Sequence, residues 1–323
     1  MLFQAFTIKD KTFPSNVVQG PLAGYSCAPF RRLFWRYGGL GFAVSEMISS
    51  NDILHREARP TRYLLRDSDE QFTVFQIAGN QLPAIAKATE IVSKAGADMV
   101  DLNCGCPVKK IRSKGQGSKL LEDPQQLFAV VQTIKSHTDA LVSVKIRIPK
   151  NSDDFSIFAA LEAIEKAGAD CLIVHGRHWT ERYDVESDIA EIAHIVQQTK
   201  LPVIANGDAA DTQSLKKIYE GTGAQGVMVA RAGVGQPWLF AQMKAECEGM
   251  PFTRPSLEKQ GHLFLEHLEY LMQIEGEKTA VLQGRKCAKY YARYIENRNT
   301  FVKKAQQANT FSETEALVQT YFT

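Results

Sequence analysis

The sequence predicts an α/β protein, a (β/α)8 TIM barrel followed by a small C-terminal all-α helical domain. Three observations predict it. Eight short strand-like runs recur between residues 16 and 231, separated by segments with helical periodicity. The phrase KAGAD repeats at two helix–strand junctions. After Trp238 no strand-like run remains, while helical periodicity continues. Strands that alternate with helices pair in parallel through crossovers, and eight such units in this length suit a closed barrel.

In order, the strand-like runs are NVVQGPLAG (16–24), GFAVSEM (41–47), FTVFQIAG (72–79), DMVDLN (98–103), LVSVKIR (141–147), CLIVHGR (171–177), PVIANGD (202–208) and GVMVAR (226–231). They are short and rich in apolar residues, as strands buried on both faces should be. Between them, PAIAKATEIVSKAG and SIFAALEAIEKAG repeat apolar residues at three and four, the spacing of a helix with one buried face. SKAGADMVDLN (93–103), EKAGADCLIVH (165–175) and the looser GTGAQGVMVA (221–230) each read as a helix ending on glycine, then a buried strand. A doubly wound sheet is the alternative, but no GxGxxG follows the first strand. CEGMPFTRPS (247–256) is rich in turn formers and reads as a linker. The expected division is a catalytic barrel over 1–246 and a helical domain over 247–323.

Charged residues at 23%, hydrophobic residues at 44% and a net charge of +2 describe an ordinary globular chain. So small a net charge does not mark a nucleic-acid binder, so any basic surface must arise from local segregation. No run of about 18 apolar residues is present to span a membrane, and MLFQAFTIKD lacks an apolar signal core. A cytoplasmic, reduced protein without a membrane segment is expected. Six cysteines stand at 27, 104, 106, 171, 247 and 287. Cys104 and Cys106 have the wrong spacing for zinc and no complementary pair, and a disulfide between them would be strained. Neither a metal nor a disulfide is expected.

The strand ends are polar: Glu46, Gln76, Asn103, Lys145 with Arg147, His175 with Arg177, Asn206 with Asp208, and Arg231. In a barrel these carboxyl ends face the catalytic mouth, and a purely structural barrel does not need such a ring. The last two strand ends, IANGD and VMVARAG, resemble a phosphate site, where glycines let backbone N–H groups approach an anion and Arg231 adds charge. Flavin mononucleotide or a sugar phosphate would suit it, and Lys145 suits a flavin because its charge can stabilise the reduced, anionic ring. By position, His175 reads as a ligand contact, whereas His55, His137, His194, His262 and His267 read as structural or solvated. GQGS (115–118), after Cys106, reads either as a phosphate cradle or as a lid over the substrate.

RKCAKYYARYIENRNTFVKK (285–304) carries seven Lys or Arg residues against one Glu. Lys286, Lys289, Tyr290, Arg293 and Asn297 follow helical spacing along one side. A basic side carrying tyrosines suits a phosphate backbone and stacked bases. The acidic residues Glu266, Glu269, Glu275 and Glu277 would then face away.

GPLAGYSCAPFRRL, SEMISSN, FQIAGN, DLNCGCPVKKIRSKGQGSKLL, VKIR, VHGR, VIANGD and RAGVGQPWLF, in this order, resemble the tRNA-dihydrouridine synthase family. The closing EALVQTYF is similar to the tail of its bacterial B-type branch. The resemblance implies an FMN-containing barrel with a helical tRNA-binding domain, reducing a D-loop uridine, at position 17, with NADPH electrons; a monomer is expected. It implies that Pro21, Leu22 and Ala23, Gln76, Lys145, His175, Asn206, Gly207, Asp208, Ala230 and Arg231 contact the flavin. It also implies Cys106 as the catalytic cysteine and Asn103 as a uracil contact; Arg177, Lys286, Lys289 and Arg293 are further expected substrate contacts. Three positions depart from the family pattern: Leu22 replaces methionine, Ala230 replaces glycine, and Ser26-Cys27 replaces Thr-Asp.

Reducing a uracil C5=C6 bond requires a hydride at C6 and a proton at C5 from the opposite face. An ordinary thiol, with a pKa of about 8.5, holds and releases a proton near neutrality. Cys106, just before Pro107, is expected to project into the mouth, and Cys104 to pack as a small apolar side chain. Two other functions compete. A flavin barrel acting on a free pyrimidine, like dihydroorotate dehydrogenase, would explain Cys106 and Lys145 but not the basic helical tail. A tRNA-binding protein with a mainly fold-assisting role would not need the Cys, Lys and His set.

Overall fold

The computed structural model describes residues 1–54, 61–149 and 155–323, so His55 lies outside the described residues. The chain opens with an antiparallel hairpin, β1 (Phe6–Ile8) and β2 (Lys11–Phe13). The barrel strands follow: β3 (Val17–Gln19), β4 (Ala43–Val44), β5 (Ile48–Ser49), β6 (Thr73–Ala78), β7 (Met99–Cys104), β8 (Leu141–Arg147), β9 (Cys171–His175), β10 (Val203–Asn206) and β11 (Gly226–Val229). Their pairings are all parallel, and β3 pairs with both β4 and β11, which closes the ring. The expected second strand is split. Ser45 N–H donates to Val74 O, and the Ser45 hydroxyl accepts from Gln76 N–H, so a side chain serves the ladder where the strand breaks.

Helices α1 (Ala28–Tyr37), α2 (Ser50–Leu54), α3 (Leu82–Lys94), α4 (Lys109–Arg112), α5 (Pro124–Ser136), α6 (Phe155–Lys166), α7 (Ile189–Gln198), α8 (Thr212–Thr222) and α9 (Leu239–Cys247) surround the barrel. Strand residues of one parity, among them Val100, Leu102, Val142, Val144, Leu172 and Val174, pack with these helices. Residues of the other parity, Val18, Val44, Val74, Met99, Leu141, Ile173, Ile204 and Met228, form a separate core inside the ring. The opening hairpin closes the foot of that core: Phe13 meets Phe42 and Phe72 edge-on at 5.2 and 5.0 Å. This hairpin was missed from the sequence; its only signal is the apolar spacing of Phe6, Ile8 and Phe13.

Past the barrel come α10 (Leu257–Glu275), α11 (Glu277–Tyr291), α12 (Arg298–Ala305) and α13 (Phe311–Tyr321). They share a core of Phe264, Leu268, Tyr291, Phe301 and Phe322 that also takes in Leu33 and Trp238. Two expectations are corrected here. The basic stretch is not one helix, because α11 ends at Tyr291, a 3₁₀ turn spans Ala292–Tyr294, and the Arg298 side chain donates to the exposed Lys289 carbonyl. The acidic residues do not all face away either. Glu266 pairs with Arg32 and Arg36 on α1, Glu275 pairs with Arg62, and Glu277 accepts from Phe311 N–H.

The helical layer reaches the barrel rim through Gly235, whose φ of 74° is left-handed. A Cβ there would lie 2.5 Å from the Tyr290 carbonyl carbon. Only glycine satisfies both the backbone and the approach. Gly235→Ala should therefore destabilise the protein by about 1–3 kcal/mol, read from the urea midpoint at unchanged m-value.

Candidate active site

Above the apolar foot, the inward parity turns polar. The inward positions are Gln76 on β6, Asp101 and Asn103 on β7, Ser143, Lys145 and Arg147 on β8, His175 on β9 and Asn206 on β10. Register sets Gln76 beside Asp101, Asp101 beside Ser143, Asn103 beside Lys145, and Arg147 and Asn206 beside His175. All of these but the fully buried Asp101 and Ser143 line a cavity of about 800 Å³ at the carboxyl ends of the strands. Pro21, Leu22, Ala23, Gln76, Asn103, Cys106, Lys145, His175, Arg177, Asn206, Gly207, Asp208, Ala230, Arg231 and Arg293 all line it. Lys286 and Lys289 do not; both are exposed on α11 outside the cavity. Arg147, expected at the mouth as a polar strand end, and Tyr290, expected on the basic side of the helical domain, line it too, as does Tyr183, which the sequence did not single out.

The end of β7, not parity, separates the two cysteines. Cys104 is the last residue of β7, faces the helices and is fully buried, and burial pushes its thiol well above the usual range. Cys106 lies beyond the strand and lines the cavity. Its backbone is held on two sides. Asn103 Oδ1 accepts from the N–H groups of Cys106 (2.9 Å) and Gly105 (3.2 Å). The Cys106 carbonyl accepts from the Ser118 N–H and hydroxyl, both at 3.1 Å. A Cβ at Gly117 would lie 2.7 Å from that carbonyl oxygen, which explains the second glycine of GQGS. The segment thus backs the cysteine loop.

Asn103 belongs to a longer chain of bonds. Its amide N–H donates to Gln76 Oε1 (2.8 Å), Gln76 Nε2 donates to Asp101 Oδ2 (2.7 Å), and Ser143 Oγ donates to Asp101 Oδ1 (2.6 Å). The carboxylate fixes which end of each amide faces its neighbour, because a carboxylate only accepts. Asp101 is fully buried, and burial pushes its carboxyl up to about 6 against the hydrogen bonds of Ser143 and Gln76. No sequence signal separates it from a core aspartate.

The other half of the cavity is cationic. Lys145 Nζ donates to Asn206 Oδ1 (2.9 Å), and Asn206 is oriented by its own bond to Met228 O. Burial lowers Lys145 to about 8, opposed by Asp101. Arg177 is buried, donating to Val185 O (2.7 Å), Asp208 Oδ2 (2.5 Å) and His175 Nε2 (3.2 Å). Since a guanidinium cannot accept, His175 Nε2 carries the lone pair and its proton sits on Nδ1. Burial, with Lys145, Arg147, Arg177 and Arg231 nearby, holds His175 well below its usual range, so it is neutral. Arg231 pairs with Asp208 at 3.2 Å and stacks on Tyr183. Burial would raise Asp208, but Arg177, the Ser187 amide and Arg231 together leave it below the ordinary carboxylate range. Among the described lining residues, five Lys and Arg side chains face one carboxylate, Asp208.

Two departures in sequence are accommodated. The Ala230 methyl sits against Gly20, where a Cβ would lie only 3.3 Å away. Ser26 Oγ accepts from Leu22 N–H, and the buried Cys27 thiol faces His267 Nε2 at 3.8 Å, so this loop anchors the helical layer. His267 is buried, bonds Tyr291 OH and is lowered by burial to about 4, in line with its structural reading.

A closed parallel barrel with a thiol and a cationic, anion-accepting mouth defines an α/β-barrel enzyme. The family model for dihydrouridine synthase (Dus) matches residues 17–323, and the chain belongs to that family. It is 31% identical over 306 residues to tRNA-dihydrouridine synthase B of Pseudomonas aeruginosa, covering 94% of this chain and 91% of the relative. To the protein of the same description from Vibrio cholerae it is 28% identical, covering 95% and 96%. Among solved structures, it is similar in fold to an old yellow enzyme homologue from Zymomonas mobilis, with a TM-score of 0.56, 12% identity and coverage of 80% and 96%. The 6-hydroxypseudooxynicotine amine oxidase of Pseudomonas geniculata matches with a TM-score of 0.60 at 13% identity, covering 77% of this chain and 50% of that one.

Asp101→Asn tests the bond chain. Asp101 has a raised folded pKa, so its contribution to stability is full below about 4 and lost as pH rises through about 6. The unfolding free energy of the wild type minus that of Asp101→Asn should fall across this window and level off above it. Amide exchange at Gly105 and Cys106 should accelerate in the variant, as Asn103 loses its fixed orientation.

Proposed function

We propose that the protein is a flavin-dependent tRNA-dihydrouridine synthase that reduces a D-loop uridine, at position 17, with Cys106 as proton donor and NADPH as the source of electrons. The observation that carries this reading is the meeting of the Cys106 thiol, the buried Lys145 ammonium and an arginine-lined anion site in one cavity. That cavity opens beside Tyr290 and Arg293 of the helical layer. A free pyrimidine would need no such layer at the rim.

The residues present fit FMN. The cationic excess suits a phosphate and an anionic ring. At the same end, Ser187 Oγ is buried without a partner among the described residues, in space that a Cβ on Gly207 would fill. Arg231, Gly207 and Ser187 would hold the phosphate, Lys145 and Gln76 the ring, and His175 the ribityl chain through Nδ1–H. Pro21, Leu22 and Ala23 would pack against the ring. Bound FMN supplies the two electrons that reduce the uracil C5=C6 bond. Cys106 gives its proton to C5, and Asn103, by fixing the Cys106 and Gly105 amides, aims the thiol while its free N–H meets the uracil. Lys145 keeps the mouth positive, and Arg177 holds His175 and Asp208 in place rather than reaching far into the cavity.

We assign residues 1–246 to the catalytic barrel and 247–323 to tRNA binding, with the exposed Lys286, Lys289 and Arg293 meeting the phosphate backbone of a single tRNA on a monomer. Arg293 also lines the cavity, so the helical layer shares the mouth with the barrel.

Purified protein should be yellow and release FMN on denaturation, and Lys145→Met should weaken flavin binding or slow its reduction by NADPH. A colourless protein that takes up no FMN would rule out the reading. Cys106→Ala should lower uridine reduction by about 10²-fold or more while sparing flavin content and tRNA affinity, whereas Cys104→Ala should change the rate little. Lys286→Glu with Lys289→Glu should raise the tRNA dissociation constant steeply at low salt and flatten its salt slope, leaving flavin reduction by NADPH unchanged. Coincident salt curves for variant and wild type would remove α11 from the RNA surface.

A further inference from the structure

Among the described residues, the helical layer meets the barrel on the side of β3, β11 and the segment after β5, where Arg62 pairs with Glu275. It touches the rim at Gly235, after β11, and near Gly24, after β3. Around the closed ring, β7 and β8 lie across from those strands, with β9 next to β8. On this opposite side stands Trp179, in the loop after β9, 36% exposed. The Arg112 guanidinium lies 3.5 Å from the centre of its indole ring.

Both groups are tied to the Cys106 loop. Arg112 Nη1 donates to Ser118 Oγ (2.8 Å), the hydroxyl that bonds the Cys106 carbonyl. Arg147 Nε donates to Gly105 O and its Nη1 to His178 O, both at 2.9 Å, joining the cysteine loop to the residue before Trp179. The indole is therefore held in fixed register with the thiol from two directions. Beside it, α4 exposes Lys109 and Lys110, with Lys114 just beyond. Of the acidic side chains of the Trp179 loop, Glu181 is turned back to accept from His178 N–H at 2.7 Å, and Asp184 and Glu186 follow Tyr183.

We propose that Trp179, backed by Arg112, is a stacking platform for a tRNA base flanking the target uridine, and that Lys109, Lys110 and Lys114 carry the adjoining phosphates. This rests on the tRNA reading above and extends it to the rim across from the helical layer. A base drawn into a narrow mouth leaves its neighbours unstacked, and an aromatic face replaces the lost stacking whatever the base. A guanidinium behind the indole keeps the ring from rotating away.

Tryptophan emission tests this directly, because Trp35 and Trp238 are buried and Trp179 is the exposed one of the three. Unmodified tRNA is titrated into the flavin-loaded protein, with affinity measured independently by filter binding at several salt concentrations. Binding should quench emission in the wild type, and Trp179→Phe should lose most of that change while keeping affinity within about twofold. Trp179→Ala should weaken binding about tenfold with an unchanged salt slope, since stacking releases no counterions. Lys109→Gln with Lys110→Gln should lower the slope by about 0.7 for each lost contact. Wild-type tRNA binding with unchanged emission, and a Trp179→Ala affinity within twofold of wild type, would overturn the platform and leave the tRNA reading standing; such a surface would serve a protein instead. A wild type that binds no tRNA would overturn both.

Discussion

A closed parallel barrel gives each strand one inward parity, and the rest of this molecule follows from that constraint. At the foot the inward set is apolar and sealed by the hairpin; one layer up it becomes Gln76, Asp101, Ser143, Lys145, His175 and Asn206. No strand could present these groups without presenting its foot residues too. The same rule makes Cys104 a core side chain, while Cys106, two residues past the end of the strand, is released from that alternation and turns into the cavity.

The inward polar layer divides into two electrostatic halves. On one side, an aspartate, a glutamine and an asparagine pass a single hydrogen-bond polarity to the backbone of Cys106. On the other, arginines and Lys145 outnumber their one carboxylate, and burial together with these cations keeps His175 neutral. Burial sharpens the interactions of Asp101, Lys145, Arg147, His175 and Arg177, each exposed by less than a tenth, because water screens them weakly. The halves meet at Asn103 and Lys145, which are neighbours in the β7–β8 register. A thiol is thereby placed next to a site for an anion.

The helical layer depends on the barrel as much as it extends it. Glu266 and Glu275 are spent on Arg32, Arg36 and Arg62, and His267 is buried against Cys27. With Glu266 and Glu275 committed to the barrel, the layer turns Lys286, Lys289 and Arg293 outward near the mouth. Segregation of charge, in a chain whose net charge is only +2, thus comes from packing.

By itself the sequence determined the barrel, its eight strand positions, the polar strand ends and the difference between Cys104 and Cys106. Those features are local: period, turn residues and distance from a strand end can all be read along the chain. The opening hairpin escaped because two three-residue strands carry too short a pattern, and the basic helix was drawn too long because the break at Tyr291 depends on Arg298 reaching back to a carbonyl. Only the tertiary structure decided that Asp101 orients Gln76, that Arg177 sets the His175 tautomer, that GQGS backs the cysteine loop and that Trp179 is registered to it. Each of these joins residues from different strands or loops, and such partners are chosen by closure of the ring, which no stretch of sequence contains.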